Sequence, residues 1–393
     1  MSDYSVHIVI DNGASTTKVG FNGENAPRVV IPTVIGQTKN EYLNLVEDPK
    51  KIYVGREAIN NSSYLNLKKP IKNGNMDVEQ MEKLWSYIFS NELKIKPEAH
   101  NIFLTESLFS SNQEREKIAE IMFEKFSVFN INIEPQQVMS LYSTTKTTGL
   151  LVESGEDMTE IVPIYEGFII PQGIKFNNIA GSALTNYLNE QIKTNLRKFN
   201  VSNEFYLSKK IKEKYCELSL NENVNQKLNE NLTGNYFLLP DGNSIEIGNE
   251  KFLVPELMFA PDLINSDCKS VQQLIFDSIS NVDIHLRKDF LNNIVLSGGN
   301  TLIKNFSDRL KIELNKIYIK NSYDTDVTSI NRSESSGNIT GNTIKINAQA
   351  ERQYSAWIGA SVVCSISSFQ HLWISKNDFE EIGPQVIHKK NFI

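Results

Sequence analysis

Residues 7–21 read His-Ile-Val-Ile-Asp-Asn-Gly-Ala-Ser-Thr-Thr-Lys-Val-Gly-Phe, and place an aspartate, a run of small residues and a lysine in close succession. Ile8, Val9 and Ile10 have the β-branched content of a buried strand, and Asp11 stands at its end. Asn12-Gly13 is a tight-turn signal, because both residues tolerate positive φ. Thr16 to Phe21 then returns as a second strand. The stretch is therefore a hairpin with Gly13, Ala14 and Ser15 at its tip and Lys18 just behind it. Small tip residues let backbone amides approach a phosphate chain. Lys18 adds a point charge, and Asp11 can hold a hydrated Mg2+ or Ca2+.

A second copy follows. Residues 149–163 read Gly-Leu-Leu-Val-Glu-Ser-Gly-Glu-Asp-Met-Thr-Glu-Ile-Val-Pro. Glu153 lies 142 residues after Asp11, and Gly155 the same distance after Gly13. One such hairpin is a weak signal, but two a domain-length apart predict a duplicated α/β domain with a phosphate hairpin in each half. They also predict a nucleotide clamped between the halves. A third small-residue turn, Gly298-Gly299, follows the apolar run 293–297. A strand, two glycines and a helix from Phe306 let backbone and a helix N-terminus face a nucleotide.

The elements that position these groups show in the periodicity. Residues 80–91 carry Met81, Leu84, Trp85 and Ile88 on one helical face, and 101–105 reads as a strand. Residues 112–126 start with a helix cap and carry Ile118, Ile121, Met122 and Phe126. A helix over 135–143 places Gln136 in its first turn. Helices are also expected over 180–199, 208–220, 271–279 and 355–369, and short strands over 28–35, 245–249 and 344–348. Residues 221–235 are Asn-rich and read as a loop. Residues 323–342, rich in Ser, Asn, Thr and Gly, read as a flexible surface insertion.

At 393 residues the chain is long enough for two or three domains. Apolar content of 40% and charged content of 22% are ordinary for a soluble globular protein. A net charge of −7 provides no global basic field for nucleic acid. Cys216, Cys268 and Cys364 are widely spaced, which fits a reducing compartment and argues against a zinc site or disulfide framework. Neither a secretory leader nor a run long enough to span a bilayer is read here, so no membrane insertion is expected and the cytosol or nucleus is.

Nearly end to end, the chain resembles actin and the actin-related proteins. The resemblance rests on I-D-N-G, K-V-G-F and A-P-R near the start, S-L-Y-S-T-T-K-T-T-G-L with V-P-I-Y-E-G over 140–167, and I-K-E-K-Y-C over 211–216. It continues in L-P-D-G over 239–242, V-L-S-G-G-N-T over 295–301 and Y-S-A-W-I-G-A-S over 354–361. It implies an actin-like ATPase fold: duplicated RNase H-like α/β domains around a central nucleotide cleft, in four subdomains. On that plan the first half is 1–142 with 33–69 as a small subdomain, joined by the returning segment 343–393. The second half is 143–342, with 181–265 as its small subdomain. The run over 293–310 is somewhat closer to the dynactin-type actin-related protein, and the C-terminal G-P-x-x-I-H-K-K to conventional actin.

The resemblance also implies ATP or ADP with Mg2+ or Ca2+ as cofactors. It puts Gly13, Ser15, Thr16 and Lys18 on the first phosphate loop, with Asp11 as the metal-associated aspartate acting through water. Gly155, Glu156, Asp157 and Met158 fall on the second loop. Lys212 and Glu213 match positions near the adenosine, and Gly298, Gly299, Asn300, Leu302 and Ile303 match the turn around adenine and ribose. Gln136 matches the glutamine that helps position the attacking water. The departures fall at the same place. Ala14 replaces a serine, Glu153 an aspartate, Glu156 a second aspartate, Glu160 a histidine and Gln353 a lysine. The acidic excess over 153–160 disfavours a triphosphate unless a cation offsets it, and implies slow or altered hydrolysis.

For partners, the resemblance implies like subunits or other actin-family subunits, and cytoskeletal complex proteins. Leu43, Leu45 and Val46 form an apolar loop tip, and Leu263-Ile264-Asn265 a weak apolar plug. Tyr142, Thr147, Gly167, Phe168, Val363 and Ile366 match a partner-binding apolar cleft. The expected role is a cytoplasmic, cytoskeletal subunit. The alternatives are a nuclear chromatin-remodelling subunit that binds ATP without polymerising, and a small-molecule kinase, for which no segment reads as a sugar site.

Overall fold

The structure is a computed structural model of the chain and describes residues 6–198, 203–220, 235–239, 242–326 and 344–389. The chain divides into two compact units: Met1–Thr147, Gly155–Asp157 and Tyr354–Ile393 form one, and Thr148–Ser154 and Met158–Gln353 the other.

The first unit is built on a six-stranded sheet in the order Ile374–Ser375, Asn130–Pro135, Asn101–Glu106, Ile8–Asn12, Thr16–Phe21, Val29–Pro32. Ile8–Asn12, Asn101–Glu106 and Asn130–Pro135 run parallel, and the other strands are antiparallel to their neighbours. The parallel strands are apolar on both faces because both faces are covered. On one side lies the helix Val78–Tyr87, started by the Asp77 side chain, which accepts the Gln80 N–H. It buries Met81, Leu84 and Trp85 completely, each worth about 1.5–3 kcal/mol. Elsewhere in the unit the helix Ser355–Cys364 packs on the helix Gln136–Tyr142. A Cβ on Gly359 would lie 1.7 Å from the Met139 carbonyl, so the crossing is backbone on backbone. Trp357 on the same helix donates its indole N–H to the Val9 carbonyl at 3.0 Å. A three-stranded sheet of Ile35–Thr38, Tyr53–Val54 and Leu65–Lys68 forms a small satellite core.

The second unit repeats the plan. Its sheet runs Phe168–Ile169, Thr159–Tyr165, Gly149–Ser154, Ile294–Ser297, Ile346–Asn347, with Lys175–Asn177 also pairing Thr159–Tyr165. Gly149–Ser154, Ile294–Ser297 and Ile346–Asn347 run parallel. Each unit thus has an N-terminal hairpin followed by two parallel strands, joined by helical crossovers. Leu184, Leu188, Phe306, Leu310 and Leu314 close the core of the second unit. Beside it, Glu256 takes Arg309 through two hydrogen bonds of 3.0 and 2.6 Å, a planar fork on a carboxylate.

Several element boundaries differ from the sequence expectation. The helix expected over 208–220 is Glu204–Tyr215, because Cys216 turns to an extended conformation. The chain then runs past Lys251 and Lys304, whose carbonyls take the N–H groups of Glu217 and Leu218. The helix expected over 355–369 ends at Cys364, and a 3-10 turn Ser367–Leu372 follows. The helices over 80–91 and 112–126 each finish in a π-helical turn, Ile88–Glu92 and Ile121–Lys125. Residues 323–326 extend the helix Phe306–Asp326, and the rest of the expected 323–342 insertion lies outside the described residues. So does the Asn-rich 221–234, while Asn235 already begins a strand.

Candidate functional site

The first hairpin fixes its own charges. Its register sets Asp11 opposite Lys18, and Lys18 Nζ lies 2.9 Å from Asp11 Oδ2, with both side chains largely buried. Gly13 is required at the tip: a Cβ there would lie 2.6 Å from the Thr16 carbonyl and 3.0 Å from Lys18 Nζ. The ammonium therefore lies over the tip itself. Thr33 holds the tip from one side. Its hydroxyl donates to the Gly13 carbonyl at 2.6 Å, and its N–H donates to the Ser15 carbonyl at 3.0 Å. The C=O and N–H of a trans peptide point in opposite directions. With Gly13 and Ser15 carbonyls drawn to Thr33, the N–H groups of Ala14 and Thr16 face the other way. Two amides on one face with an ammonium above them fit a phosphate oxygen. Ala14 packs its methyl against the unit's core.

Asp11 sits in a wider polar network that the sequence reading did not find. Thr105 Oγ1 donates to Asp11 Oδ1 at 2.8 Å and accepts the Asn12 N–H at 3.2 Å. Gln136 Nε2 reaches Asp11 Oδ1 at 3.2 Å, the Asn12 carbonyl at 2.8 Å and Thr105 Oγ1 at 3.4 Å. Asn12 is buttressed by the Trp85 indole N–H at 3.1 Å and itself donates to the Thr105 carbonyl. The Asp11 carboxylate and Asn12 carbonyl only accept, so the Gln136 amide must present its NH2 to them. Its carbonyl oxygen then points away from the network, where it can accept a hydrogen bond from water. The single carboxylate of Asp11, already shared with Lys18, fits a hard cation held through water better than one bound directly.

Just beyond Thr105, Glu106 is 6% exposed. Burial pushes its carboxyl up to about 7, with Arg115 opposing and Glu114 reinforcing the rise. Arg115 Nε lies 3.2 Å from Glu106 Oε1. Burial also raises Glu114, which accepts the Met76 N–H and the Ser110 hydroxyl.

The second hairpin has the same register and different chemistry. Glu153 stands opposite Glu160 where the first has Asp11 opposite Lys18. Ser297 donates to Glu153 Oε1 at 3.2 Å. Its base is locked by a directional chain: Asn300 Nδ2 donates to Ser154 Oγ at 3.2 Å, Ser154 to Thr159 Oγ1 at 2.8 Å, and Thr159 to the Ile179 carbonyl at 2.8 Å. Gly298, at φ 85°, packs so closely that a Cβ would lie 2.2 Å from the Ser154 carbonyl. Three tip residues, Gly155, Glu156 and Asp157, group with the first unit. There Lys69 pairs with Glu156 at 2.9 Å, and the Asn73 N–H donates to Asp157 at 2.9 Å. Part of the acidic excess expected to repel a polyphosphate is thus offset by the protein's own lysine. Met158 is half-buried beside them.

The remaining expected residues gather in the second unit. Gly299 to Leu302 form a 3-10 turn with open space beside Gly299, so the helix starting at Phe306 does not follow the double glycine directly. Arg352, which sequence reasoning missed, clamps that turn through Thr301 Oγ1 at 3.0 Å and the Thr301 carbonyl at 2.7 Å. The Arg352 carbonyl takes the Gly298 N–H. The turn meets the end of the Glu204–Tyr215 helix through a Lys304–Glu217 ion pair of 2.7 Å. On that helix Lys212 is buried and donates to the Gly181 carbonyl at 2.8 Å, whereas Glu213 is exposed. Leu302 is exposed and Ile303 packs against the core.

Of the residues matched to partner surfaces, Leu43, Leu45, Phe168 and Ile366 are exposed, as are Leu263 and Ile264. Thr147 is also exposed, and Tyr142 is half-buried. Val363 and Gly167 are buried. Val363 lies on the inner face of its helix, so the exposed positions nearby are Val362 and Ile366. No helix of the described residues is long and apolar enough to cross a membrane.

A sequence-family model described as Actin matches residues 2–392. The chain belongs to the actin family, and its two matched α/β units are those of the actin-like ATPase fold.

Proposed function

We propose that this actin-family chain binds ATP or ADP with Mg2+ or Ca2+, and acts in the cytoplasm as a subunit of a cytoskeletal filament or multiprotein complex. The nucleotide serves as a structural switch that turns over slowly. The observation that carries the reading is the Asp11–Lys18–Gln136 arrangement at the first hairpin, with the orientation of the Gln136 amide set by the partners of its Nε2. When bound, the nucleotide would supply the phosphoanhydride and its cation the neutralising charge. The chain's own residues do the positioning. The Ala14 and Thr16 amides and the Lys18 ammonium would hold phosphate oxygens, Asp11 would hold the cation through water, and the outward Gln136 oxygen would orient a water. Orientation and charge are most of what a protein contributes to phosphoryl transfer.

Slow turnover is supported by the second hairpin. Glu153 and Glu160 face one another where the first hairpin has opposite charges. Ionised carboxylates only accept hydrogen bonds and repel an anionic phosphoryl group. Assembly is supported by Leu45, 76% exposed on the 43–46 loop beside Leu43, since exposed apolar tips favour burial against another chain.

The test is nucleotide content and phosphate release of purified, metal-replete protein, with Gln136→Ala as control. Stoichiometric nucleotide with negligible release is expected. Release that climbs with protein concentration and falls in Gln136→Ala would overturn slow turnover, and a chain that takes up no ATP would overturn the nucleotide assignment.

A further inference from the structure

We infer that Thr105 is the positioning residue that aims both Asp11 and Gln136, and so sets how firmly the first hairpin retains a divalent cation. The inference rests on the nucleotide and cation reading above. A threonine hydroxyl has one proton to give and two lone pairs to receive with. At Thr105 all three are committed. The proton goes to Asp11 Oδ1 at 2.8 Å, and the lone pairs take the Asn12 N–H at 3.2 Å and Gln136 Nε2 at 3.4 Å. The hydroxyl is buried at 1% exposure, which leaves its proton no competing solvent acceptor.

The consequence is a fixed carboxylate. Asp11 Oδ1 receives Thr105 and Gln136, and Oδ2 faces Lys18 at 2.9 Å. The plane of the carboxylate is therefore set from both ends. Gln136 is turned with its NH2 inward by the same cluster. Thr105 occupies the middle strand of the three parallel ones, between Ile8–Asn12 and Asn130–Pro135. From there one hydroxyl reaches both the strand end that carries Asp11 and the helix start that carries Gln136. Trp85, through Asn12 Oδ1, fixes the Asn12 side chain whose amide in turn caps the Thr105 carbonyl. Without the hydroxyl, Asp11 and Gln136 keep their mutual contact but lose the donor that orders it.

The experiment compares the parent with Thr105→Val, which keeps the shape and removes the hydroxyl, and Thr105→Ser, which restores it. Each is loaded with ATP and Ca2+, and Ca2+ release is followed with an indicator after chelator is added. Phosphate release and the melting temperature of the ligand-free chain are measured alongside. Groups that orient a cation-associated ligand typically change affinity about 10–100-fold when removed. Ca2+ release from Thr105→Val is expected to quicken by about that factor, with Thr105→Ser close to the parent and slower phosphate release in Thr105→Val. A Thr105→Val chain that releases Ca2+ like the parent overturns the inference. So does one whose faster release is shared by Thr105→Ser, or whose only change is a lower ligand-free melting temperature. A parent that retains neither ATP nor Ca2+ overturns the nucleotide reading, and this inference with it.

Discussion

The two hairpins share a backbone and differ in charge. In both, a short apolar strand ends in an acid, turns through a glycine and returns, and both place the residue seven positions beyond the acid directly opposite it. In the first that residue is Lys18, in contact with Asp11; in the second it is Glu160, across from Glu153. The scaffold alone therefore does not decide the chemistry. A cross-strand pair can be attractive or repulsive at the same register, and the difference is of order 1 kcal/mol per exposed pair and larger when buried. The first hairpin carries its own cation and can meet an anion unaided. The acidic tip of the second is balanced by a lysine from elsewhere, Lys69 on Glu156. The two hairpins thus share a register, and their polar residues give the first a buried Asp11–Lys18 pair and the second an acidic tip tied to Lys69.

Breaking the attractive pair should have the largest effect. Lys18→Met leaves Asp11 buried with its charge opposed only by hydrogen bonds, and is expected to cost about 3–5 kcal/mol. Denaturant unfolding at pH 7.5 measures it. An unchanged unfolding free energy would show that Asp11 does not depend on Lys18. Removing one acid from the second pair should have a smaller effect of opposite sign. Glu160→Gln is expected to stabilise the chain by about 0.5–1 kcal/mol at neutral pH. A destabilised variant would mean that Glu160 is held by attractive contacts that outweigh Glu153.

The hairpins were legible in the sequence because everything that makes them is local. β-branched runs, a glycine at the tip and the repeat at a fixed offset name strand, turn and partner without reference to the rest of the chain, although Asn12 stays in the strand and neither it nor Gly13 takes the positive φ expected of the turn. Gln136 was legible through family resemblance and through its place at a helix start. Thr105, Asn12 and Trp85 were not, because their roles exist only across long separations: Thr105 meets Asp11 across 94 residues and Trp85 meets Asn12 across 73. Nothing in a Leu-Thr-Glu strand marks its threonine as the centre of a network. Arg352 was hidden in the same way, 51 residues from the turn it clamps. Val363 was misjudged because an apolar helix such as Ser355–Cys364 reads alike on its buried and exposed sides. The Glu204–Tyr215 helix was placed late because its end is set by tertiary partners, the carbonyls of Lys251 and Lys304, and not by a local stop signal.

Glu106 has a calorimetric consequence. Its carboxyl, raised by burial from its ordinary 4.5 to about 7, keeps its proton in the folded chain where the unfolded chain would have lost it. Between pH about 4.5 and about 7 the native state therefore holds more protons than the unfolded one, so this residue's contribution to stability falls as pH rises through that window. Unfolding at pH 6 releases close to one proton from this site, and the surrounding buffer must absorb it. The heat of melting should differ between phosphate, which takes up a proton with little heat, and imidazole, which takes it up with much. In Glu106→Gln that buffer-dependent difference should shrink by about one proton's worth. An undiminished difference would place the released proton on another group.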